Sequence, residues 1–533
     1  MRHFHSYGPV DCKAHFCVKR EELIAQGVEQ LIGQPETGGH YFTIWAPRQT
    51  GKTWLMRQIR ADISKRYPDY TVYNFSLGNL RGMSYTPSDK SGKTAFSDEL
   101  SDVLERELPG HPVVKDWHEF SALFSKDKGL WKNPLILLID EVDTTPPALL
   151  DLLIGRFREM YLDREKHWLH GLALIGIRAV LGLDSQRGSP FNIQRSLHVP
   201  NFSFDEVKAL YQQYQDESGQ AIEPLVVESI YNSTKGQPGL VSWFGELLTE
   251  KYNPSPNQVI DRETWHLVWH KARFVEPNNT VMNLIAKARM PEYQDYLIEL
   301  FTHSDMPFSF YEPKCSYLYL HGIVTSETLR QPNGERDEIC RFSSPFIQDC
   351  LYFALSQEML EERMPILALQ PLDDLADVFT GQSLDLPALL QRYKDYLYRL
   401  KAKGLNPWKE QPRRKTDFKL AEAVGHFHLY TWLQSAVGRR CVVSPEFPTG
   451  NGKVELHLRC GDKRGIIEVK SFTTIYQARY DRHKAAEYAT NLGFDQVTMA
   501  IFIPVEEKTV LEKLSEIEMI DGVEVTVVAI GWV

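Results

Sequence analysis

Residues 41–53 read Tyr41-Phe42-Thr43-Ile44-Trp45-Ala46-Pro47-Arg48-Gln49-Thr50-Gly51-Lys52-Thr53. The first five form an apolar run that suits a buried strand, and beyond Thr53 the apolar residues Leu55, Ile59 and Ile63 recur at helical spacing. A strand, a loop ending in Gly-Lys-Thr and an amphipathic helix bring backbone N–H groups and a helix N-terminus together around phosphate oxygens. In that setting Pro47, Arg48, Gln49, Thr50 and Gly51 form the cradle. Lys52 neutralises the β- and γ-phosphates of ATP, and Thr53 binds Mg2+. The pattern departs from G-x-x-x-x-G-K-[ST] at its first position, where Ala46 stands. That change restricts the backbone but removes no phosphate ligand. The plainer alternative makes Gly51-Lys52-Thr53 a helix cap. A second Gly-Lys-Thr, Gly92-Lys93-Thr94, has only polar residues and Pro87 before it and reads as a loop.

Working outward, Pro134-Leu135-Ile136-Leu137-Leu138-Ile139 is a continuous apolar run ending in Asp140-Glu141. Such a run suits a central parallel strand, and acids at its C-terminal end lie where ligands bind in open α/β sheets. Asp140 is the candidate for the Mg2+ shell and Glu141 for the catalytic group that orients or activates the attacking water. A third run, Leu172 to Ile177, ends at Arg178, which either faces the γ-phosphate or forms a surface ion pair. Arg187 and Arg195 flank Ser189-Pro190-Phe191-Asn192 and are arginine-finger candidates.

The order of these features is specific. The P-loop, Leu138-Ile139-Asp140-Glu141-Val142-Asp143, Arg178, Ser189-Pro190-Phe191-Asn192 and then Lys235-Gly236-Gln237-Pro238-Gly239-Leu240 resemble the AAA-like ATPases allied to archaeal ATPases and STAND proteins. The resemblance implies a parallel-sheet core over residues 1–203 and a helical lid over 204–254. It also implies that Gln237 and Pro238 lie near the nucleotide; a helix-breaking turn there is compatible with that role. Residues 255–355 alternate helical patterns with Tyr317 to Val324, a Gln331-Pro332-Asn333-Gly334 turn and Cys340 to Phe346. Two strands across such a turn are similar to the wing of a winged-helix domain, with a structural role favoured over DNA reading. Residues 356–415 read as a helical linker, with Leu389, Leu390, Tyr393, Tyr396 and Leu397 at spacings of three or four. It ends in the basic stretch Pro412-Arg413-Arg414-Lys415, either a solvated face or a phosphate-backbone contact.

From residue 416 a helix, Leu420 to Leu433, precedes short strands. Val454-Glu455-Leu456-His457-Leu458, a polar Gly461-Asp462-Lys463-Arg464 turn and Gly465-Ile466-Ile467-Glu468-Val469-Lys470 read as strand, turn, strand. Residues i and i+2 share a strand face, so Glu468 and Lys470 point the same way and Glu455 meets them across the hairpin. Two carboxylates and a lysine suit phosphodiester hydrolysis: Glu455, Glu468 and the Val469 carbonyl as ligands of Mg2+ or Mn2+, Lys470 on the attacking water. The alternative is a surface ion pair on an edge strand. The segment looks like the PD-(D/E)XK nuclease superfamily, including versions fused to ATPases of this type. Glu422 matches the acid of that family's first helix, and Glu455 stands where Asp is usual.

The chain therefore reads as a multidomain α/β protein, with a P-loop ATPase core, helical lid, winged-helix-like middle and restriction-endonuclease-like end. Its 533 residues carry 43% hydrophobic residues, enough core for several domains. The seven cysteines are scattered without C-x-x-C pairs, which argues against a disulfide framework and a structural zinc site and for a cytoplasmic setting. No apolar run reaches the roughly 20 residues of a membrane span. With a net charge of −10, nucleic-acid contact must use local basic patches. The leading functional expectation is an ATPase whose nucleotide state gates a nuclease, DNA favoured over RNA. The alternative is a nucleotide-dependent switch or scaffold with an inactive nuclease fold that binds nucleic acid or a protein partner. Self-assembly stays open.

Overall fold

The computed structural model describes residues 2–34, 38–86, 96–177, 196–253, 255, 257–302, 306–330, 336–359, 368–369, 375–380, 383–406, 408, 418–438, 440–446, 455–471, 475–505 and 507–531. Two compact units emerge. The first comprises Met1–Thr280 with Tyr319–Gly322, and the second Val281–Leu318 with Ile323–Val533.

In the first unit the strands are β1 (Tyr41–Trp45), β2 (Thr71–Ser76), β3 (Leu135–Asp140), β4 (Leu169–Gly176) and β5 (Ser196–His198). They form one parallel sheet in the order β2-β3-β4-β1-β5. Its helices are α1 (Glu21–Ile32), α2 (Lys52–Arg66), α3 (Asp98–Glu107), α4 (Trp117–Ala122) and α5 (Pro147–Leu162). After the sheet come α6 (Phe204–Ser218), α7 (Pro224–Thr234), α8 (Pro238–Glu246) and α9 (Arg262–Phe274).

Every residue of β3 is buried because helices cover both faces of the sheet. Strand alternation divides its side chains. Leu135, Leu137 and Ile139 join Phe120, Leu153 and Phe157 on one face, while Ile136 and Leu138 join Val28, Leu55, Ile59 and Ile63 on the other. Each of these aliphatic side chains contributes about 1.5–3 kcal/mol on burial. The two clusters hold β1 and β3, one on either side of β4, so that their C-terminal ends open on the same edge of the sheet. A five-stranded parallel sheet covered by helices, with the Gly51-Lys52-Thr53 loop leaving β1, has the layout of a P-loop ATPase core.

After this core, helices α6 to α9 follow in the same unit. Trp265 of α9 lies 5.1 Å from the Phe244 ring of α8, and Trp269 stacks on the same ring at 6.0 Å. This aromatic cluster keeps α9 with the first unit.

The second unit takes α10 (Asn279–Ala288) from Val281, α11 (Pro291–Thr302) and α12 (Pro313–His321) as far as Leu318, followed by the antiparallel hairpin of β6 (Val324–Arg330) and β7 (Arg336–Phe342). Tyr317 to His321, expected as strand, is helix. Pro313 occupies the first turn, and Gly322 at φ 81 ends it, with Ile323 N donating to Leu318 O at 2.9 Å. This Schellman-type stop outweighs the Tyr-Leu alternation. Helices α13 (Pro345–Met359), α14 (Ala376–Thr380), α15 (Leu386–Ala402) and α16 (Phe418–Val437) follow.

Then come β8 (Val442–Glu446), β9 (Glu455–Cys460), β10 (Lys463–Ser471), α17 (Ile475–Asn491), β11 (Gln496–Ile503), α18 (Lys508–Leu514), β12 (Ile517–Ile520) and β13 (Val523–Gly531). The sheet order is β12-β13-β11-β10-β9-β8, parallel between β10, β11 and β13 and antiparallel elsewhere. The helix expected as linker, α15, is built into this layer. Tyr393 donates to or accepts from His428 Nδ1 at 2.8 Å, and the Gly465 backbone has room for no side chain beside Leu386. The basic stretch 412–415 lies outside the described residues.

The cysteine expectation needs correcting. Cys12 is bonded to Cys17, and Cys441 to Cys460. The second pair closes across β8 and β9, whose register sets Val442 opposite Arg459. Nineteen residues of separation hide a partnership that the hairpin creates.

Candidate nucleotide site and a second acidic site

The loop between β1 and α2 owes its curl to two residues in the left-handed region, Gln49 at φ 57 and Gly51 at φ 89. Glycine adopts this conformation at no steric cost, and open space surrounds Gly51, so its requirement is backbone freedom. Thr50 Oγ1 donates to Pro47 O at 3.0 Å and pins the curl from within. Ala46, in place of the first glycine, is fully buried. Lys52 folds back over the loop, donating from Nζ to Ala46 O at 2.8 Å and Pro47 O at 2.6 Å. Burial pushes its ammonium down to about 8, with Asp143 and then Asp140 opposing the shift.

Thr53 Oγ1 donates to Asp140 Oδ2 at 2.7 Å, joining the start of α2 to the end of β3. The other carboxylate oxygen, Asp140 Oδ1, accepts from Glu141 N at 2.8 Å. A hydroxyl and a carboxylate at contact distance are a hard-oxygen donor pair that fits Mg2+. Glu141 follows at φ 56, a backbone conformation that costs a non-glycine residue free energy and that clusters at functional sites. Ser76 Oγ, from the end of β2, donates to Glu141 Oε2 at 2.8 Å, and Arg81 lies 3.9 Å from Oε1. Ser76 and Asp143 escaped the sequence reading. Ser76 ends β2 and Asp143 lies in the short 3-10 turn after β3, a signal that needed the strand order to be seen.

Helix α8 meets the loop directly. Gln237 caps the helix by accepting from Leu240 N at 2.5 Å, and its Nε2 donates to Arg48 O at 3.2 Å and Gln49 O at 3.4 Å. Gly239 N adds a bond to Gln49 O at 3.1 Å. Pro238, at the first turn of α8, lines a cleft together with Gln49, Thr50, Gly51 and Trp54. The remaining wall was not anticipated. It comes from the N-terminal arm through His5, Gly8, Val10, Phe16 and Val18, with Val199, Phe202 and Leu210 beyond. Arg20 anchors that arm, donating to Pro200 O at 2.7 Å and Asn201 O at 2.9 Å while pairing with Glu206. Arg178, Arg187 and Arg195 lie outside the described residues.

A second cluster lies in the other unit. Glu468 and Lys470 are 5% and 3% exposed on β10, which runs between β11 and β9, so the edge-strand surface pair is excluded. Lys470 Nζ meets Glu468 Oε1 at 2.5 Å. Register sets position 455 directly opposite position 468. The Glu455 side chain is outside the described residues, as is that of Glu422 in α16.

No protein-family model matches the chain, and no curated protein matches it. Among solved structures, a Walker-type ATPase of Pyrococcus abyssi is 15% identical, covering 65% of this chain and 99% of its own, with a TM-score of 0.41. The Aeropyrum pernix ORC1 protein, solved in complex with DNA, is 14% identical over 64% of this chain and 93% of its own, at 0.31. The Thermotoga maritima RuvB Holliday junction branch migration motor is 14% identical over 60% and 92%, at 0.32. With each of these three TM-scores below 0.5, the assignment of the core rests on its own sheet order and loop.

Proposed function

We propose that the chain is an ATPase whose nucleotide state gates a metal-dependent nuclease site in its second unit. The observation that carries the ATP half is the Thr53–Asp140 hydrogen bond of 2.7 Å beside Lys52. Lys52, which now rests on the Ala46 and Pro47 carbonyls, turns to the β- and γ-phosphates when nucleotide enters. The N–H groups of residues 48–53 hold the phosphate oxygens, and the cleft against Pro238 and Phe16 takes the base. Thr53 and Asp140 hold Mg2+, which neutralises developing phosphate charge. Glu141, fixed by Ser76, orients the attacking water.

The nuclease half is supported by the buried Glu468–Lys470 pair and the facing position 455. Glu455, Glu468 and the Val469 carbonyl are the oxygen set for Mg2+ or Mn2+, which supplies Lewis acidity at the phosphodiester. Lys470 orients the attacking water. The mixed sheet preceded by α16 supports a PD-(D/E)XK-type fold, with the middle helices and hairpin as a winged-helix-like relay. The preference for DNA is carried over from that resemblance.

The test incubates wild type, Lys52→Ala and Lys470→Ala with plasmid and single-stranded DNA in Mg2+ or Mn2+, with and without ATP. Products that vanish in Lys470→Ala and lose their ATP dependence in Lys52→Ala bear the proposal out. ATP turnover without products under either metal replaces gating of a nuclease by a nucleotide-dependent switch that binds DNA or a protein partner. Cleavage that survives Lys470→Ala removes the catalytic assignment.

A further inference from the structure

The N-terminal arm alternates phenylalanine with histidine: His3-Phe4-His5, and again His15-Phe16. His3 N donates to Ala14 O at 3.1 Å and Phe16 N donates to His3 O at 3.0 Å, laying the two segments side by side with His3 bridged to His15. Phe4 and Phe16 turn inward, 5.0 Å apart, and Phe4 lies 4.8 Å from the Tyr211 ring. Because successive side chains of an extended segment face opposite ways, burying the two phenylalanines delivers all three histidines to the other face. There His5 and His15 stack with centroids 4.0 Å apart and an interplanar angle of 7°, and His3 lies edge-on to His15 at 4.7 Å. One ring nitrogen from each lies within 4.8 Å of the other two.

We propose that His3, His5 and His15 form a three-histidine site for a borderline divalent transition metal, Zn2+ or Co2+, separate from the oxygen ligands of Thr53 and Asp140. An all-imidazole donor set suits these ions and disfavours Mg2+ and Ca2+. Ligation requires neutral rings. With Zn–N bonds of about 2.0–2.1 Å, tetrahedral ligands stand about 3.3 Å apart, so the rings need to close in by no more than about 1.5 Å. The Asp11 amide now donates to His15 Nδ1 at 3.0 Å, a bond the metal displaces if it takes that nitrogen. Cys12 and Cys17 are bonded to each other on either side of His15, leaving the imidazoles as donors. A metal here fastens residues 3–5 to residue 15, and thereby the arm whose Gly8, Val10 and Phe16 wall the cleft.

The experiment uses the full-length, tag-free, metal-stripped chain without reductant, titrated with Co2+ and followed by visible absorption and calorimetry, with Zn2+ as competitor. A single Co2+ per chain is expected, displaced by Zn2+. His3→Gln and His5→Gln each weaken binding at least about tenfold, since even outer-shell changes at such sites cost about 10–100-fold. His118→Gln on the exposed side of α4 leaves it unchanged. Zn2+ raises the wild-type Tm but not that of His3→Gln, whose metal-free Tm matches wild type because His3 is exposed. Absence of stoichiometric Co2+ binding, or undiminished binding in the triple His3→Gln, His5→Gln, His15→Gln variant, overturns the site.

Discussion

Lys52 must carry positive charge in a place where burial favours its loss. Its folded pKa of about 8 lies below the value of about 10.4 for a free lysine. Between these limits the unfolded chain binds the extra proton, so this residue's contribution to nucleotide-free stability rises with pH across that window. Phosphate reverses the balance by favouring the ammonium. ATP binding is therefore expected to take up a proton near pH 8 and to weaken as pH rises above it. Calorimetry in buffers of different ionisation enthalpy measures the uptake, and its persistence in Lys52→Met would detach it from this residue. The Glu468–Lys470 pair poses a different problem, because both groups are almost fully buried. Lys470→Ala leaves a carboxylate without its partner and is expected to destabilise the second unit by about 3–5 kcal/mol. The double replacement Glu468→Leu, Lys470→Met removes both charges at similar volume and is expected to recover most of that loss. Urea denaturation distinguishes the two, and full stability in Lys470→Ala would mean the pair is not buried as described.

At the level of elements, two glycines let the chain around the start of α8 pack closely, Gly239 against the Gln49 side chain of the P-loop and Gly236 against the Phe202 backbone. A Cβ on Gly239 would lie 2.5 Å from Gln49 Oε1 and 2.8 Å from Gln49 Cβ, and one on Gly236 would lie 1.9 Å from Phe202 O at φ +71. Gly236→Ala is expected to cost about 1–3 kcal/mol through strain. Gly239→Ala, which pushes on a side chain, is expected to lower ATP affinity more than stability. Equilibrium binding of a fluorescent nucleotide beside a melting curve separates these effects, and unchanged affinity in Gly239→Ala would free the lid from the site. The elements most legible in the sequence were those whose local pattern is also their tertiary role. Buried β1 and β3 and the amphipathic α2 combine a clear apolar period with loop chemistry, and they bring Thr53 and Asp140 together from 87 positions apart. What stayed hidden depended on pairing. The Tyr-Leu alternation of α12 imitated a strand until its proline and glycine ends were set in place. The His-Phe alternation of the N-terminal arm is too short to stand out as an element, and its role comes from lying on α6 and α8. Ser76 becomes significant only when β2 is placed beside β3.

The whole molecule consists of two units, each with its own sheet and core, and the proposed gating is a statement about free energy passed between them. Nucleotide that binds only the native first unit stabilises it by RT ln(1 + [L]/Kd), about 2.7 kcal/mol at 100 times Kd. Were the units energetically independent, this would slow amide exchange around β1, β3 and α8 and leave β9 to β11 untouched. Gating demands more, because an effector alters a distant site only by binding its two states unequally, with coupling of typically 1–3 kcal/mol. Hydrogen exchange over residues 455–471 is therefore expected to change by about 5–150-fold on addition of ATP and Mg2+. The Lys52→Ala chain, which loses the phosphate contact, is expected to show no change there. The choice of peptide matters, since β10 carries Glu468 and Lys470 and is paired on both sides, to β9 and β11. Protection confined to the first unit would leave an ATPase with an uncoupled second unit. A change in β10 that persists in Lys52→Ala would mean that ATP acts on the second unit by a route other than the P-loop.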